Sequence, residues 1–231
     1  MSEYINVTVP DGIFRAYVAR PASLPAPAIV VVQEIFGINA DLRATCDELA
    51  AAGFIAVSPD LFWRIEPGVD LNSWTPEEWA KGFELYGKFD FDEGVRDVLA
   101  TLALARSLPG ANGKAGVTGF CLGGLMTFLA AARGSVDAAV EYYGGGTDKY
   151  LHEANTITAP LLIHLAGDDE YIPKAAQAQI AQTLADHKNV TIETYPGCNH
   201  AFARHTGAHY DAAAAKLANG RTLEHFKKYL R

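Results

Sequence analysis

Apolar residues in this chain occur in short continuous runs separated by longer amphipathic stretches. Residues 28–32 read AIVVV and residues 54–58 form a second apolar run, as expected of strands buried on both faces. Residues 3–19 instead alternate apolar and polar positions around a Pro-Asp-Gly turn signal, which predicts a hairpin. Residues 40–52 have helical periodicity, and Gly53 is placed to end that helix.

The rest of the chain continues the alternation of strand and helix. Further strands are predicted at 114–118, 136–142, 160–166 and 190–195. Further helices are predicted at 76–86, 92–108, 122–133, 173–187 and 207–230. Strands that alternate with helices form a mostly parallel, doubly wound sheet flanked by helices, so the fold class is α/β.

The domain organisation predicted from this pattern is simple. The chain has 231 residues and contains no repeat, low-complexity tract or linker, so one domain over 1–231 is expected. Residues 60–89 are a long connection with its own helix and a cluster of aromatic residues. Long connections in α/β enzymes often border sites, and we expect this one to do so.

Composition narrows the class of protein. The formal net charge of −8 argues against a nucleic-acid partner. No apolar run approaches the roughly 20 residues of a membrane span, and the first residues lack a signal-peptide pattern, so we expect a cytoplasmic protein without a membrane partner. The three cysteines form no CxxC pair and no disulfide framework, which favours a single positioned thiol.

The residues 119–124, GFCLGG, stand between a predicted strand and a predicted helix. This is the setting of a nucleophile elbow, G-x-S-x-G, with Cys121 in place of serine. The flanking glycines leave room for a strained turn, and the helix N-terminus favours a thiolate. A buried cysteine in a glycine-rich loop is the alternative interpretation of the motif alone.

Acidic and basic partners for a cysteine nucleophile follow two later strands. Asp168 and Asp169 follow the strand at 160–166, and His200 follows the strand at 190–195. Ligands gather at the carboxyl ends of strands in this architecture, and the order nucleophile, acid, base is that of an α/β-hydrolase. The residues alone leave open which aspartate pairs with the histidine, and the other is expected to cap the following turn or helix.

The chemistry requires each of these residue types. An imidazole takes the proton of a thiol, and a carboxylate holds that imidazole in one tautomer. Cys121 is thus the predicted nucleophile and His200 the base and then the acid. The backbone N–H groups of Leu122 and Ile35 are the predicted oxyanion donors. No acidic cluster accompanies the histidines at 200, 205 and 209, so neither a metal nor a cofactor is predicted.

The whole chain resembles the dienelactone hydrolase family of α/β-hydrolases. The stretches that carry the resemblance are QEIFG at 33–37, SPDLF at 58–62, GFCLGG at 119–124, YYG at 142–144, GDD at 167–169 and HAFAR at 200–204. The resemblance implies a triad of Cys121, Asp169 and His200, with Asp169 selected over Asp168. It also implies that Glu34 interacts with the cysteine and takes part in its activation. From the residues alone, Glu34 is a loop carboxylate that disfavours a nearby thiolate.

The resemblance has implications for substrate binding as well. The family holds the carboxylate of a lactone with two arginines, of which one matches Arg204 and the other falls on Trp79. A tyrosine of the family falls on Phe83, and Phe36 belongs to the QEIFG stretch. These changes imply a more apolar pocket than that of a dienelactone hydrolase.

The sequence therefore predicts a cysteine-dependent hydrolase of small esters or lactones that acts through a thioester acyl-enzyme. A promiscuous hydrolase of aryl esters or phosphotriesters is an alternative, and a thiol redox sensor on a hydrolase scaffold is an alternative of another class. The predicted partner is a small-molecule substrate, and the predicted assembly is a monomer or small homo-oligomer.

Overall fold

The computed structural model describes residues 2–231, with side chains from residue 3 onward. Its strands are β1 (Ser2–Val9), β2 (Gly12–Ala19), β3 (Ala26–Val32), β4 (Ile55–Pro59), β5 (Ala111–Phe120), β6 (Ala138–Tyr142), β7 (Leu161–Ala166) and β8 (Val190–Tyr195). Its helices are α1 (Ala40–Ala51), α2 (Pro76–Lys88), α3 (Phe91–Ser107), α4 (Leu122–Arg133), α5 (Lys174–Leu184) and α6 (Ala212–Leu230). A 3₁₀-helical segment, Thr147–Thr156, precedes β7.

The strands lie in the order β1-β2-β4-β3-β5-β6-β7-β8. The ladders β3–β4, β6–β7 and β7–β8 are parallel, whereas β1–β2 and β2–β4 are antiparallel. The predicted α/β class, with a mostly parallel sheet flanked by helices, is confirmed. Within the described residues, each helix is too short or too polar to cross a membrane.

The chain divides into two compact units, Met1–Val117 and Thr118–Arg231. In the first unit the predicted hairpin is present, with Val9 paired to Gly12 beside the turn. Helix α1 begins after Asn39, whose side chain accepts the N–H of Leu42 and so caps the helix. It packs on β4, and α3 packs on β3. The prediction of a single domain stays a prediction.

In the second unit, β6, β7 and β8 form a parallel ladder on which α4 and α6 pack. The register sets Tyr142 opposite His164 and Ala166 opposite Tyr195. All residues of β6 and β7 are buried, which accounts for their mainly apolar sequences, although each strand also buries one polar residue, Glu141 in β6 and His164 in β7. The ends of these strands carry the loops that contain the candidate site.

Two element boundaries in the second unit differ by three or more residues from those predicted. Helix α6 begins at Ala212, not at residue 207, because the Asp211 side chain accepts the N–H groups of Ala213 and Ala214 and caps the helix there. Helix α5 ends at Leu184, three residues before the predicted end. The 3₁₀-helical segment Thr147–Thr156 was not predicted from the sequence.

Candidate active site

Cys121 lies in the strained turn between β5 and α4 that the sequence predicts. Its φ of 56° and ψ of −113° belong to a region that residues with side chains rarely adopt. A Cβ at Gly119 would lie 2.1 Å from the carbonyl oxygen of Gly123, so only glycine fits there. The N–H of Cys121 donates to the carbonyl oxygen of Tyr142 at 3.1 Å, which fixes the turn to the end of β6.

The turn leads directly into the N-terminus of α4. The carbonyl oxygen of Cys121 accepts the N–H groups of Gly124 and Leu125, at 3.0 and 3.3 Å. The N–H groups of Leu122 and Gly123 therefore precede the first hydrogen bonds of the helix. Together with the helix dipole, they provide a positive end beside the sulfur, where negative charge is stabilised.

Asp169 and His200 are hydrogen-bonded to each other in the same unit. The Nδ1 atom of His200 lies 3.0 and 2.9 Å from the two carboxylate oxygens of Asp169, and both residues are buried. The Oδ1 atom of Asp169 also accepts the N–H groups of Tyr171 and Ile172, at 2.8 and 3.0 Å. The loop after β7 therefore holds the carboxylate in place, and the carboxylate holds the imidazole.

Asp168 has a different environment from its neighbour. It forms an exposed ion pair with Lys174 at 2.8 Å, and the hydrogen bond from Lys174 lowers the pKa of its carboxyl group. The expectation that the aspartate not bonded to histidine would cap the next turn is wrong, because Asp169 accepts those backbone N–H groups itself. The structure selects Asp169 as the partner of the histidine.

His200 has a strongly altered pKa. Burial alone would lower it, but electrostatic interactions with Cys121 and Asp169, together with the hydrogen bond to Asp169, outweigh burial and raise the pKa to about 10. The Nδ1 atom of the imidazole is hydrogen-bonded to Asp169, and its buried Nε2 atom has no hydrogen-bond partner among the described residues, while Cys121 lies near enough to favour the protonated ring.

Two tyrosines that the sequence analysis did not single out flank His200. The ring of Tyr143 is fully buried and lies 5.0 Å from the imidazole, centroid to centroid. The ring of Tyr171 lies edge-on at 4.9 Å and is 46% exposed. Tyr143 has a φ of 37° and Ala201, next to His200, a φ of 62°, so backbone strain is concentrated around the histidine.

Arg204 is buried in the loop that follows His200. Its backbone N–H donates to the carbonyl oxygen of Ala201 at 3.0 Å. A Cβ at Gly207 would lie 2.8 Å from the Nε atom of Arg204, so the glycine leaves room for the guanidinium. Arg204 and Cys121 both affect the pKa of Tyr171, which burial, Glu170 and Cys121 raise and Arg204 lowers. Arg204, Cys121 and Tyr171 therefore lie in one region of the second unit.

The other candidate residues belong to the first unit. Glu34, Ile35 and Phe36 are buried in the segment directly after β3. On α2, the indole N–H of Trp79 donates to the carbonyl oxygen of Ser73 at 2.9 Å. The Trp79 ring lies 4.9 Å from Phe36, edge to face, and 5.9 Å from Phe83. Phe36, Trp79 and Phe83 thus form one aromatic cluster.

Among the described residues, neither the other thiols nor the potential metal ligands form a second candidate site. Cys46 and Cys198 are buried free thiols, and burial raises the pKa of Cys198. No group of three or more His, Cys, Asp and Glu side chains within residues 2–231 is placed to hold a metal ion.

Comparisons with known proteins point to one family. A family model described as the dienelactone hydrolase family matches residues 14–230. A protein of Azospirillum brasilense is 44% identical, over 97% of this chain and 99% of its own. The carboxymethylenebutenolidase of Pseudomonas putida is 40% identical, over 97% of this chain and 95% of its own.

A solved structure extends the likeness to the fold. The dienelactone hydrolase-like promiscuous phosphotriesterase from metagenomic libraries superposes with a TM-score of 0.82 at 21% identity, over 100% of this chain and 99% of its own. Because the family model spans most of the chain and relatives at 40% identity or more cover nearly all of it, the chain belongs to the dienelactone hydrolase family and is a hydrolase of ester or lactone bonds.

Proposed function

We propose that this protein hydrolyses small carboxylic esters or lactones with Cys121 as the nucleophile. The observation that carries the proposal is a buried imidazole that is hydrogen-bonded to a carboxylate through Nδ1 and has its Nε2 atom without a partner, near a cysteine in a strained turn. Hydrogen bonding of Nδ1 to Asp169 leaves Nε2 as the ring nitrogen available to the sulfur. A nucleophile, a base and an orienting acid in this arrangement are the parts that acyl transfer requires.

In the first half-reaction, the Cys121 thiolate attacks the substrate carbonyl carbon and forms a carbon–sulfur bond. The carbonyl electron pair moves to oxygen, and we assign the N–H groups of Leu122 and Ile35 to that oxyanion. When the oxyanion collapses, the bond to the alcohol oxygen breaks and the Nε2 proton of His200 passes to the leaving oxygen. The products of this step are a thioester on Cys121 and a neutral imidazole.

In the second half-reaction, the neutral imidazole takes a proton from water as the water oxygen attacks the thioester. Collapse of the second tetrahedral intermediate breaks the carbon–sulfur bond and releases the acid, which restores the thiolate and the imidazolium. Asp169 stabilises the imidazolium throughout. Glu34, by resemblance to the family, takes part in activating the cysteine when substrate binds.

For substrate binding we propose Arg204, Phe36, Trp79 and Phe83. The guanidinium of Arg204 suits an oxygen-bearing group of the substrate. The edge-to-face packing of Phe36 and Trp79 supports an apolar surface in place of a second guanidinium. We therefore propose a small-molecule substrate more apolar than dienelactone, and a cytoplasmic monomer or small homo-oligomer with no nucleic-acid partner.

The test is hydrolysis of p-nitrophenyl acetate by the wild type, Cys121→Ala and His200→Ala. We expect turnover by the wild type, loss of at least ~1,000-fold in kcat in both variants, and an acetyl group on Cys121 in acid-quenched protein. Cys198→Ala is the matched control, because Cys198 is a buried thiol outside the turn. Turnover that survives Cys121→Ala would show that the nucleophile is wrong.

The same assay separates the alternatives. A thiol redox sensor would lose its Cys121 thiol to peroxide without ever hydrolysing the ester. Because one solved structure of this fold belongs to a promiscuous phosphotriesterase, a neutral aryl phosphotriester is included as a second substrate. Slow Cys121-dependent release of nitrophenol from it would extend the proposed activity to phosphotriesters.

A further inference from the structure

A chain of hydrogen bonds buried in the second unit connects α6 to the strand beside the cysteine. It begins at Tyr142, the last residue of β6, whose carbonyl oxygen accepts the N–H of Cys121 at 3.1 Å. The hydroxyl group of Tyr142 lies 2.6 Å from Oγ1 of Thr222 and 2.9 Å from Oδ1 of Asn219, both on α6. Helix α6 thus holds the side chain of Tyr142, the residue whose carbonyl oxygen accepts the N–H of Cys121.

The chain continues from Thr222 across the sheet. The Nε2 atom of His164, on β7, lies 3.0 Å from Oγ1 of Thr222. The Nδ1 atom of His164 lies 2.9 Å from the hydroxyl of Tyr195, on β8, and Arg221 donates to that hydroxyl at 3.2 Å. Because the sheet register places Tyr142 opposite His164, the chain ties three adjacent strands to one helix.

The number of donors and acceptors on each group allows only one direction for each hydrogen bond in this chain. The Oδ1 atom of Asn219 only accepts, so Tyr142 donates its single hydroxyl proton to it. Thr222 must then donate to Tyr142, and it is left to accept from Nε2 of His164.

The remaining link follows from the tautomer of the imidazole. A neutral His164 with its proton on Nε2 accepts at Nδ1 from Tyr195, whose oxygen accepts from Arg221. Burial, with Arg221 and His225, lowers the pKa of His164 to about 3, and burial raises the pKa of Tyr142. His164 and Tyr142 are therefore both neutral around pH 7, and the hydrogen-bond chain keeps one protonation state there.

Loss of a link in this chain is costly because its members are buried. Tyr142, His164 and Thr222 are each no more than 5% exposed, so water cannot replace a missing partner. Tyr142 is also held on its backbone side, where a Cβ at Gly124 would lie 2.5 Å from its carbonyl oxygen. A shift of Tyr142 would move the acceptor of the Cys121 N–H and the start of α4 together.

We propose that Thr222 is a positioning residue for Cys121, acting from α6 through the hydroxyl group of Tyr142. The inference rests on the proposed role of Cys121 as nucleophile. Thr222 does not touch the substrate in this proposal. It holds Tyr142 in the place from which its carbonyl oxygen orients the strained turn, and misplacement of a reacting atom by about 1 Å can cost ~100-fold in rate.

A double-mutant cycle of Thr222→Val and Tyr142→Phe tests the proposal. The measured quantity is the acylation rate constant from the p-nitrophenolate burst, with the free energy of unfolding measured in parallel. We expect each single variant to lose about tenfold in acylation, and the double variant to lose about the same rather than ~100-fold, because both remove one link. Thr222→Ser, which keeps the hydroxyl group, should restore the rate.

Thr101→Val is the matched control. Thr101 is a buried threonine in the first unit that donates to the carbonyl oxygen of Asp97 at 2.7 Å. We expect this variant to be less stable while its acylation rate stays within about twofold of the wild type, because Thr101 stabilises the fold only locally. If Thr222→Val behaves in the same way, or if the acylation losses of the cycle are additive, the proposal is wrong.

The wild-type protein provides a measurement that does not depend on a variant's ability to fold. Nitrogen-15 chemical shifts of the His164 ring, assigned with His164→Gln, should show a proton on Nε2 and none on Nδ1 from pH 5 to 9. A proton on Nδ1, or an imidazolium in that range, would contradict the hydrogen-bond directions on which the proposal depends and would show that it is wrong. Absence of any Cys121-dependent burst in the wild type would instead refute the proposed function, so the two failures are distinguishable.

Discussion

At the scale of single residues, two neighbouring aspartates of the second unit have opposite surroundings. Asp169 is buried against His200, and Asp168 is exposed and paired with Lys174. We expect Asp169→Asn to lower kcat for p-nitrophenyl acetate by roughly 1,000-fold or more, because an amide in that position favours the wrong imidazole tautomer. Steady-state kinetics at neutral pH measure the effect.

Asp168→Asn is the control for that variant. It changes the same atoms one residue away and removes an exposed ion pair, which contributes little to stability because water solvates both charges. We expect its kcat to stay within twofold of the wild type. Equal losses in both variants would show that the loop, and not the carboxylate of Asp169, supports catalysis.

The central residues of the site were predictable from the sequence because each one follows a strand. Cys121, Asp169 and His200 come after β5, β7 and β8, and the ends of parallel strands meet at one edge. Tyr143 and Tyr171 were not predicted, although both contact His200. Their positions depend on a strained backbone and on an Asp169-held turn, which no apolar pattern records.

At the scale of elements, the turn from β5 into α4 depends on a glycine that no other residue can replace. A Cβ at Gly119 would lie 2.1 Å from the backbone oxygen of Gly123, and neither backbone can move without displacing Cys121. We expect Gly119→Ala to abolish activity and to lower stability by about 2 kcal/mol or more. Thermal unfolding and ester hydrolysis measure the two effects.

Gly220 on α6 provides the contrast. A Cβ there meets no atom within 4 Å, and the residue is in the middle of a helix. Gly220→Ala should therefore stabilise the protein by roughly 0.5–1 kcal/mol and leave kcat within twofold of the wild type. Equal destabilisation by both substitutions would mean that the close approach at Gly119 is not the cause.

Strand β6 contains a buried carboxyl group whose ionisation opposes folding. Glu141 is fully buried and accepts a hydrogen bond from Thr147 at 2.7 Å. Burial raises its pKa from 4.5 to about 8, against the hydrogen bonds from Thr147 and Gly144. The pKa of Glu141 is higher in the folded protein than in the unfolded chain. Its contribution to stability is therefore fully present below pH 4.5 and is lost as the pH rises towards 8.

Glu141→Gln should remove that pH dependence. We expect the difference in free energy of unfolding between the wild type and the variant to decrease from pH 5 to pH 8, by up to about 1.4 kcal/mol per pH unit, because His164 and His200 titrate in both proteins and only Glu141 is removed. Urea unfolding at both pH values measures the difference. In the control, Glu153→Gln, the decline should remain, because the hydrogen bond from Arg133 lowers the pKa of Glu153. An unchanged decline in Glu141→Gln would assign it to other groups.

At the scale of the whole molecule, the alternation of strands and helices was predictable because burial imposes it on the sequence. The uninterrupted apolar runs of β3 and β4 match strands that are buried along their whole length. The start of α6 and the segment Thr147–Thr156 were not predicted, because capping by Asp211 and the Thr147–Glu141 bond set them rather than periodicity. Local polar contacts therefore account for the differences.

The proposed nucleophile, base and orienting carboxylate belong to the second unit, whereas the aromatic cluster of Phe36, Trp79 and Phe83 belongs to the first. Substitutions in the aromatic cluster should therefore change the preference for one substrate over another without abolishing ester hydrolysis. We expect Trp79→Arg to raise the ratio of kcat/KM for a carboxylate-bearing lactone to that for its neutral isostere by about tenfold, since a guanidinium adds a charge-assisted hydrogen bond. Trp74→Arg is the matched control, because Trp74 is 69% exposed, and it should leave the ratio unchanged. If the wild type already prefers the charged lactone, or if both variants change the ratio equally, the first unit does not select the substrate through Trp79.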